Sequence, residues 1–398
     1  MTSQRRLVMI PGPIEISPGV REAFSVPPPG HTSPEVIETF GASLEMMRRV
    51  WIAAPGAQPF VIPGSGTTTM EMAVANLVEP GDAVVVVNTG FFSDRMVDML
   101  RRAGAEVVDL TAVPGDVPHA SRAEGACEDL VRSGRRPKAI FATHVDTSTG
   151  VRCDPKPLAA IAREHGALSI FDGVCATAAE RFEMETWGAD VYLTASQKAI
   201  GLPPGLALLV VTERALEARE ARRAPVPLSL DWHSWRPVMQ AYEARKPSYF
   251  ATPPTNLILA LEVGLREILA EGMNARFALH ERGAGAMRAA FAALGLRGVP
   301  AKASYAAHTL SALRFPSGVD AGLVGKIAER GVVVAGGLHP AIKAEYFRIG
   351  HMGYALTRPD MLMRTIEAVG SALEACNHPA DTAGAVKAML MELQAPVS

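Results

Sequence analysis

Between residues 60 and 212 the chain alternates short, β-branched apolar runs with longer stretches of helical spacing. The runs are FVI, AVVVV from Ala83, AEVVDL from Ala105, AIFAT from Ala139, LSIFD from Leu168, DVYLT from Asp190 and LALLVV from Leu206. Alternation of this kind predicts a mainly parallel sheet with helices on both faces. Apolar runs without a polar interruption suit strands buried on both sides. Only about a dozen residues separate DVYLT from LALLVV, barely enough for a crossover helix, so this last pairing is expected to be antiparallel.

Beyond Pro253 and Pro254 the pattern changes to NLILALEVGLREILAEG, whose apolar residues recur every three to four positions. This predicts a connector helix. Another helix is expected near Gly283 to Leu296, strands at HTLSALRF, GVVVAGG and YFRIG, and a helix from about Pro359 to Cys376. A second, smaller α+β domain follows. The expected division is a large domain over 21–255, a connector over 256–282 and a small C-terminal domain over 283–398. From Thr382 the tail can form one more helix, AVKAMLMEL, with methionines that pack on the body.

Composition narrows the class. With 398 residues, 48% hydrophobic and 20% charged, the chain can bury a sizeable core and is not disordered. Its net charge is -2 and its basic and acidic residues are interspersed, with Arg135-Arg136 and Arg222-Arg223 in the densest basic clusters, which argues against a nucleic-acid partner. Cys127, Cys153, Cys175 and Cys376 lie far apart with no paired spacing, so neither a disulfide framework nor a metal site is expected. Pro11 and Pro13 break the first apolar stretch before it reaches signal length, and no run approaches the ~18 residues of a membrane span. A soluble, cytoplasmic chain is the expectation.

Three segments carry candidate chemistry. PGSGTTTMEMAVANL, from Pro63, puts small residues directly before a helix, where free N–H groups and the hydroxyls of Ser65, Thr67 and Thr68 could bind phosphate or merely cap the helix. A dinucleotide fingerprint fails at Thr69, and the next strand ends at Asn88 where an acid would be wanted. Asp172 closes the run LSIFD at a sheet edge, either as a loop cap or as the carboxylate that keeps a heterocycle's nitrogen protonated. Lys198 follows the run DVYLT among packed-looking neighbours, where burial lowers the pKa and makes an imine-forming nucleophile. A phosphate cradle, an acid on one strand end and a lysine past the next describe the needs of pyridoxal phosphate.

The same segments carry a family resemblance. LVMIPGPI, GHTSPE at Gly30, GSGTTT at Gly64, NTGFFSDR at Asn88, THVDTSTGV at Thr143, FDGVC at Phe171, TASQKAIG at Thr194, YFATPP at Tyr249 and FRIGHMG at Phe347 stand in order along nearly the whole chain. It resembles the fold-type I, class V aminotransferases, and among them the alanine–glyoxylate type. The resemblance implies an α/β fold with a mainly parallel seven-stranded sheet sandwiched by helices, plus a smaller C-terminal α+β domain.

Carried over by position, the resemblance implies that Lys198 forms a Schiff base with the cofactor and later moves the substrate's proton. Asp172 would pair with the ring nitrogen, Val174 would pack beneath the ring, and Phe92 would stack on it where other members carry Trp. Ser65, Gly66, Thr67 and Gln197 would hold the phosphate, and Thr147 the ring's 3' oxygen. Arg348 would clamp the substrate carboxylate, with Arg rather than Lys for bidentate geometry. Tyr249 and Thr252 would complete the neighbouring subunit's phosphate site, making a homodimer in which residues 1–20 also contact the partner.

The implied reaction is ping-pong transfer from a small neutral amino acid, L-alanine first, to glyoxylate. Serine–glyoxylate and 2-aminoethylphosphonate–pyruvate transamination are the alternatives on the same scaffold. No motif supplies a second cation for a distal carboxylate, which favours neutral donors. Cysteine desulfuration would need a reactive thiol on a mobile loop, and neither Cys175 beside Asp172 nor Cys376 at a helix end fits. A non-catalytic regulator on this fold would be expected to have lost Lys198, Asp172 or Arg348, and all three are present.

Overall fold

The computed structural model describes residues 5–394. Its large sheet has seven strands: β1 (Gln58–Pro63), β2 (Ala83–Asn88), β3 (Glu106–Thr111), β4 (Pro137–Thr143), β5 (Leu168–Asp172), β6 (Val191–Ala195) and β7 (Leu206–Val211). They lie in the order β1-β7-β6-β5-β4-β2-β3. Strand β7 runs antiparallel to both β6 and β1 while the other pairings are parallel, so six strands end on the same edge. The antiparallel turn between β6 and β7 matches the short link, which has no room for a crossover helix.

All of β2, β5, β6 and β7 are buried, because helices cover both faces. Two of the crossover helices begin on a locally encoded cap. Ser65 caps Gly66–Leu77 and Asp154 caps Pro155–Glu164, where Pro at the first position needs no hydrogen-bond acceptor.

A second sheet is antiparallel throughout: β8 (Arg297–Gly298), β9 (Leu310–Arg314), β10 (Ala335–Gly336) and β11 (Tyr346–Gly350), in the order β8-β9-β11-β10. The segment GVVVAGG, read as one strand, is split. Val332–Val333 pairs in parallel with Leu7–Val8 near the N-terminus, and only Ala335–Gly336 joins β11. Residues 1–4 of the N-terminal segment expected to touch a partner lie outside the described residues. The part that follows packs on its own chain, where Met9 O accepts from Gly350 N at 2.8 Å.

Helix Thr255–Glu271 stops at Gly272, whose φ of +85° an L side chain rarely adopts, and a second helix runs over Met273–Ala293. It begins well before the Gly283 expected from periodicity. Arg276 and His280 are buried inside its first turns, so no polar stripe marks them as helical. The Arg276 guanidinium donates to the carbonyls of Ala178 at 3.1 Å and Ala199 at 2.8 Å, tying this helix to the segments that follow β5 and β6. In the tail helix Thr382–Gln394, Met389 is buried as expected, whereas Met391 is exposed. Among the described residues no helix is long and apolar enough to cross a membrane.

Candidate active site

The common strand edge gathers residues that are distant in sequence. Ser65, Gly66 and Thr67 follow β1, Phe92 and Arg95 follow β2, and Val145 and Thr147 follow β4. Strand β5 ends on Asp172 ahead of Val174 and Cys175, and Gln197 and Lys198 follow β6. With Met70 they enclose a cavity of about 220 Å3. A larger cavity of about 490 Å3, lined by His144, Arg152, Trp187 and Tyr305 among others, contains none of the predicted residues. Chemistry therefore selects the smaller one.

At the start of Gly66–Leu77 the Ser65 hydroxyl accepts from Thr68 N at 3.4 Å, and Thr68 Oγ1 accepts from Ser65 N at 3.1 Å. This reciprocal cap satisfies Thr68 and leaves the N–H groups of Gly66 and Thr67 free of intrahelical partners beside the cavity. Capping and anion binding are thus compatible at this helix start. A Cβ on Gly66 would stand 2.6 Å from Val174 Cγ2, so glycine is what allows the helix start to approach β5.

Phe92 sits in the first turn of the helix Phe91–Arg102, which lacks a cap of its own at Gly90. Asp146 supplies one from across the cavity wall, accepting from Phe92 N at 3.2 Å and Ser93 N at 3.4 Å, while Ser148 Oγ accepts from Phe91 N at 3.0 Å. Burial raises the Asp146 carboxyl above its ordinary value, and its bonds to Ser148 work against that rise.

Asp172 is 3% exposed and its Oδ1 accepts from Val174 N at 2.9 Å. Burial pushes its carboxyl up to about 7, against the pull of that N–H group, with nearby Asp146 adding to the rise. Lys198 donates from Nζ to the Pro11 carbonyl. Burial also lowers the lysine pKa, which the Cys175 thiol opposes and the Arg348 cation reinforces. Both shifts move the groups toward their neutral forms, an amine and a carboxylic acid. Gln197 Oε1 is buried with no hydrogen-bond partner.

Arg348, on β11, approaches from the smaller sheet. Its Nε donates to Gly336 O at 2.8 Å and its Nη1 to Thr147 O at 3.0 Å, which places the guanidinium beside the cavity without lining it. Tyr249 and Thr252 are exposed and stand outside their own chain's cavity, with the Tyr249 ring 5.4 Å from that of His31.

Three features escaped sequence reasoning. Arg95 reaches the cavity from one turn beyond Phe92, a three-residue helical spacing inside NTGFFSDR that could have flagged it. Asp146, one residue before Thr147, aligns the Phe92 helix. The N-terminal IPGP segment covers Lys198, where Gly12 has φ +97° and a Cβ would stand 2.4 Å from Lys198 Cδ.

The family model described as Aminotransferase class-V matches residues 42–358. The chain belongs to the class-V aminotransferases. It is 38% identical to alanine–glyoxylate aminotransferase 1 of Saccharomyces cerevisiae, over 89% of this chain and 93% of that protein. It is 35% identical to the L-aspartate–glyoxylate aminotransferase of Paracoccus denitrificans, over 89% and 87% respectively. The crystal structure of ureidoglycine–glyoxylate aminotransferase from Bacillus subtilis superposes with a TM-score of 0.89 at 25% identity, covering 99% of this chain and 100% of that one.

Class-V aminotransferases of this fold depend on pyridoxal phosphate. The cavity of this class-V aminotransferase fits that group in polarity as well as in kind. It offers free N–H groups at a helix start, suited to an anion, and a buried acid on β5, suited to a ring nitrogen. A cationic ring nitrogen at Asp172 would return its carboxyl to the charged form.

Proposed function

We propose that this class-V aminotransferase moves the amino group of a small neutral amino acid, L-alanine first and L-serine next, to glyoxylate, giving glycine. The observation that carries the reading is the convergence of Lys198, Asp172 and the Ser65–Thr67 helix start on one cavity. Glyoxylate as acceptor is supported by the names of the three relatives, which share it and differ in donor.

When bound, pyridoxal phosphate supplies the electron sink that lets the substrate Cα lose its proton. Lys198, its pKa lowered by burial, would be the nucleophile toward the aldehyde carbon and afterwards the base that takes the Cα proton on Nζ. Asp172 would hold the proton on the ring nitrogen. Ser65, Gly66, Thr67 and Gln197 would hold the phosphate, Phe92 and Val174 would cover the ring's two faces, and Thr147 would bond its 3' oxygen. Arg348 would clamp the substrate carboxylate, with Nη2 free of protein partners among the described residues to share in the fork.

Exposure of Tyr249 and Thr252 away from their own cavity supports a homodimer in which each pair completes the site of the other copy. Neutral donors are supported by the position of Arg95, whose only hydrogen bond among the described residues turns it toward Thr67 rather than across the cavity from Arg348.

The visible spectrum of the purified protein tests the reading. L-Alanine should bleach the long-wavelength band of the bound cofactor and glyoxylate should restore it, with L-serine, L-aspartate and 2-aminoethylphosphonate added in parallel to rank donors. A protein that stays colourless after incubation with pyridoxal phosphate would overturn the proposal.

A further inference from the structure

We propose that Arg95 is the counter-charge for the cofactor's phosphate, an inference that rests on the pyridoxal phosphate reading of the cavity. A phosphate monoester carries close to two negative charges at neutral pH. The groups expected to hold it, Ser65, Gly66, Thr67 and Gln197 with Tyr249 and Thr252 of the other copy, are all neutral, and a helix start contributes only about half a positive charge. Among the residues lining the cavity, the cations are Lys198 and Arg95. Lys198 is committed to the aldehyde carbon, which leaves Arg95.

Its geometry is suited to the task. Nη1 donates to Thr67 Oγ1 at 2.9 Å, so the guanidinium stands at the start of Gly66–Leu77. The fork lies 5.2 Å from the Phe91 ring centroid and 5.1 Å from that of Phe92, and these two π faces hold it against the cavity wall. Among the described residues no carboxylate pairs with it, so its charge is available to a ligand. A planar fork binds phosphate through two N–H groups at once, which a lysine at this position could not do.

The test compares two ligands that differ only in the phosphate. Cofactor-free wild type, R95Q and R95K are titrated with pyridoxal phosphate and with pyridoxal, following the absorbance of the lysine adduct. Loss of a charge-assisted hydrogen bond should weaken R95Q for pyridoxal phosphate about 10- to 100-fold while pyridoxal affinity stays within about twofold. R95K, which keeps a point charge, should fall in between, and it carries the test if R95Q does not fold. Equal losses for both ligands would make Arg95 a support for Phe92 and overturn the inference. So would unchanged affinity for pyridoxal phosphate, including the case where only activity with L-aspartate falls, which would make Arg95 a substrate clamp. A wild type that binds neither ligand would overturn the cofactor reading itself, and this inference with it.

Discussion

Replacing Asp172 by asparagine should stabilise the cofactor-free protein at neutral and alkaline pH and weaken the loaded one. Burial raises this carboxyl from 3.8 to about 7, so the folded chain keeps a proton that the unfolded chain releases near pH 4. Between those values the folded state binds more protons than the unfolded state, and stability falls as pH rises. Above pH 7 the loss is complete. At about 1.36 kcal/mol for each pH unit the whole displacement corresponds to about 4 kcal/mol. Asparagine carries no charge and keeps an acceptor for the Val174 N–H at 2.9 Å, so it removes the penalty without opening a cavity. Urea unfolding of wild type and Asp172→Asn, both freed of cofactor and at one protein concentration, should show no gap near pH 4, a growing advantage of the variant up to pH 7, and a constant gap of several kcal/mol beyond. Loading with pyridoxal phosphate should reverse the order, because the carboxylate then has a cationic partner and the amide does not. A gap that does not change with pH, or a cofactor-free variant less stable than wild type at pH 8.5, would refute the reasoning.

Lys198→Ala should retain the fold and bind pyridoxal phosphate through the remaining contacts but lose transamination; single-turnover assays that detect near-normal rates would remove its assigned role. Arg348→Lys replaces a fork with a point charge and should raise KM for L-alanine about 10- to 100-fold, with kcat less affected. Gly12→Ala puts a Cβ 2.4 Å from Lys198 Cδ at a φ of +97°. Turnover should therefore fall about 100-fold by displacement of the amine, while thermal unfolding registers a loss of only about 1–2 kcal/mol. The Glu180 side chain is fully buried between Arg152 Nη1 at 3.2 Å and His308 Nδ1 at 2.9 Å. Although burial alone would raise it, the His308 and Arg152 charges hold this carboxyl below its usual range. Glu180→Gln leaves the half-buried Arg152 without its carboxylate partner, so it should cost about 1–3 kcal/mol in urea unfolding.

The inner strands of the large sheet were legible because each holds a continuous apolar run between turn residues, and burial on both faces leaves that signature intact, whereas the half-exposed edge strand β3 was marked by its β-branched residues. Short elements were less so. Arg297–Gly298, Ala335–Gly336 and the Leu7–Val8 pairing have two residues each, and their existence depends on a partner strand rather than on their own composition. The start of Met273–Ala293 was hidden by Arg276 and His280, polar residues buried because the segments after β5 and β6 and the backbone of Gly353 provide hydrogen-bond partners. At the site, Lys198, Asp172 and the Ser65–Thr67 turn stood out because each follows a recognisable strand. Arg95, Asp146 and Gly12 act through contacts with residues 28, 54 and 186 positions away, which no local pattern reports.

The sequence by itself determined the alternation of strand and helix, the antiparallel turn before Leu206, and the chemical types that reach the sheet edge. These depend on periodicity and on link length, which are properties of neighbouring residues. Only the tertiary structure decided which of those types share one cavity and in what protonation state. Asp172 and Lys198 are an ordinary acid and an ordinary amine in the unfolded chain. The removal of water from around them, by elements that include the N-terminal segment lying over Lys198, moves both toward their neutral forms.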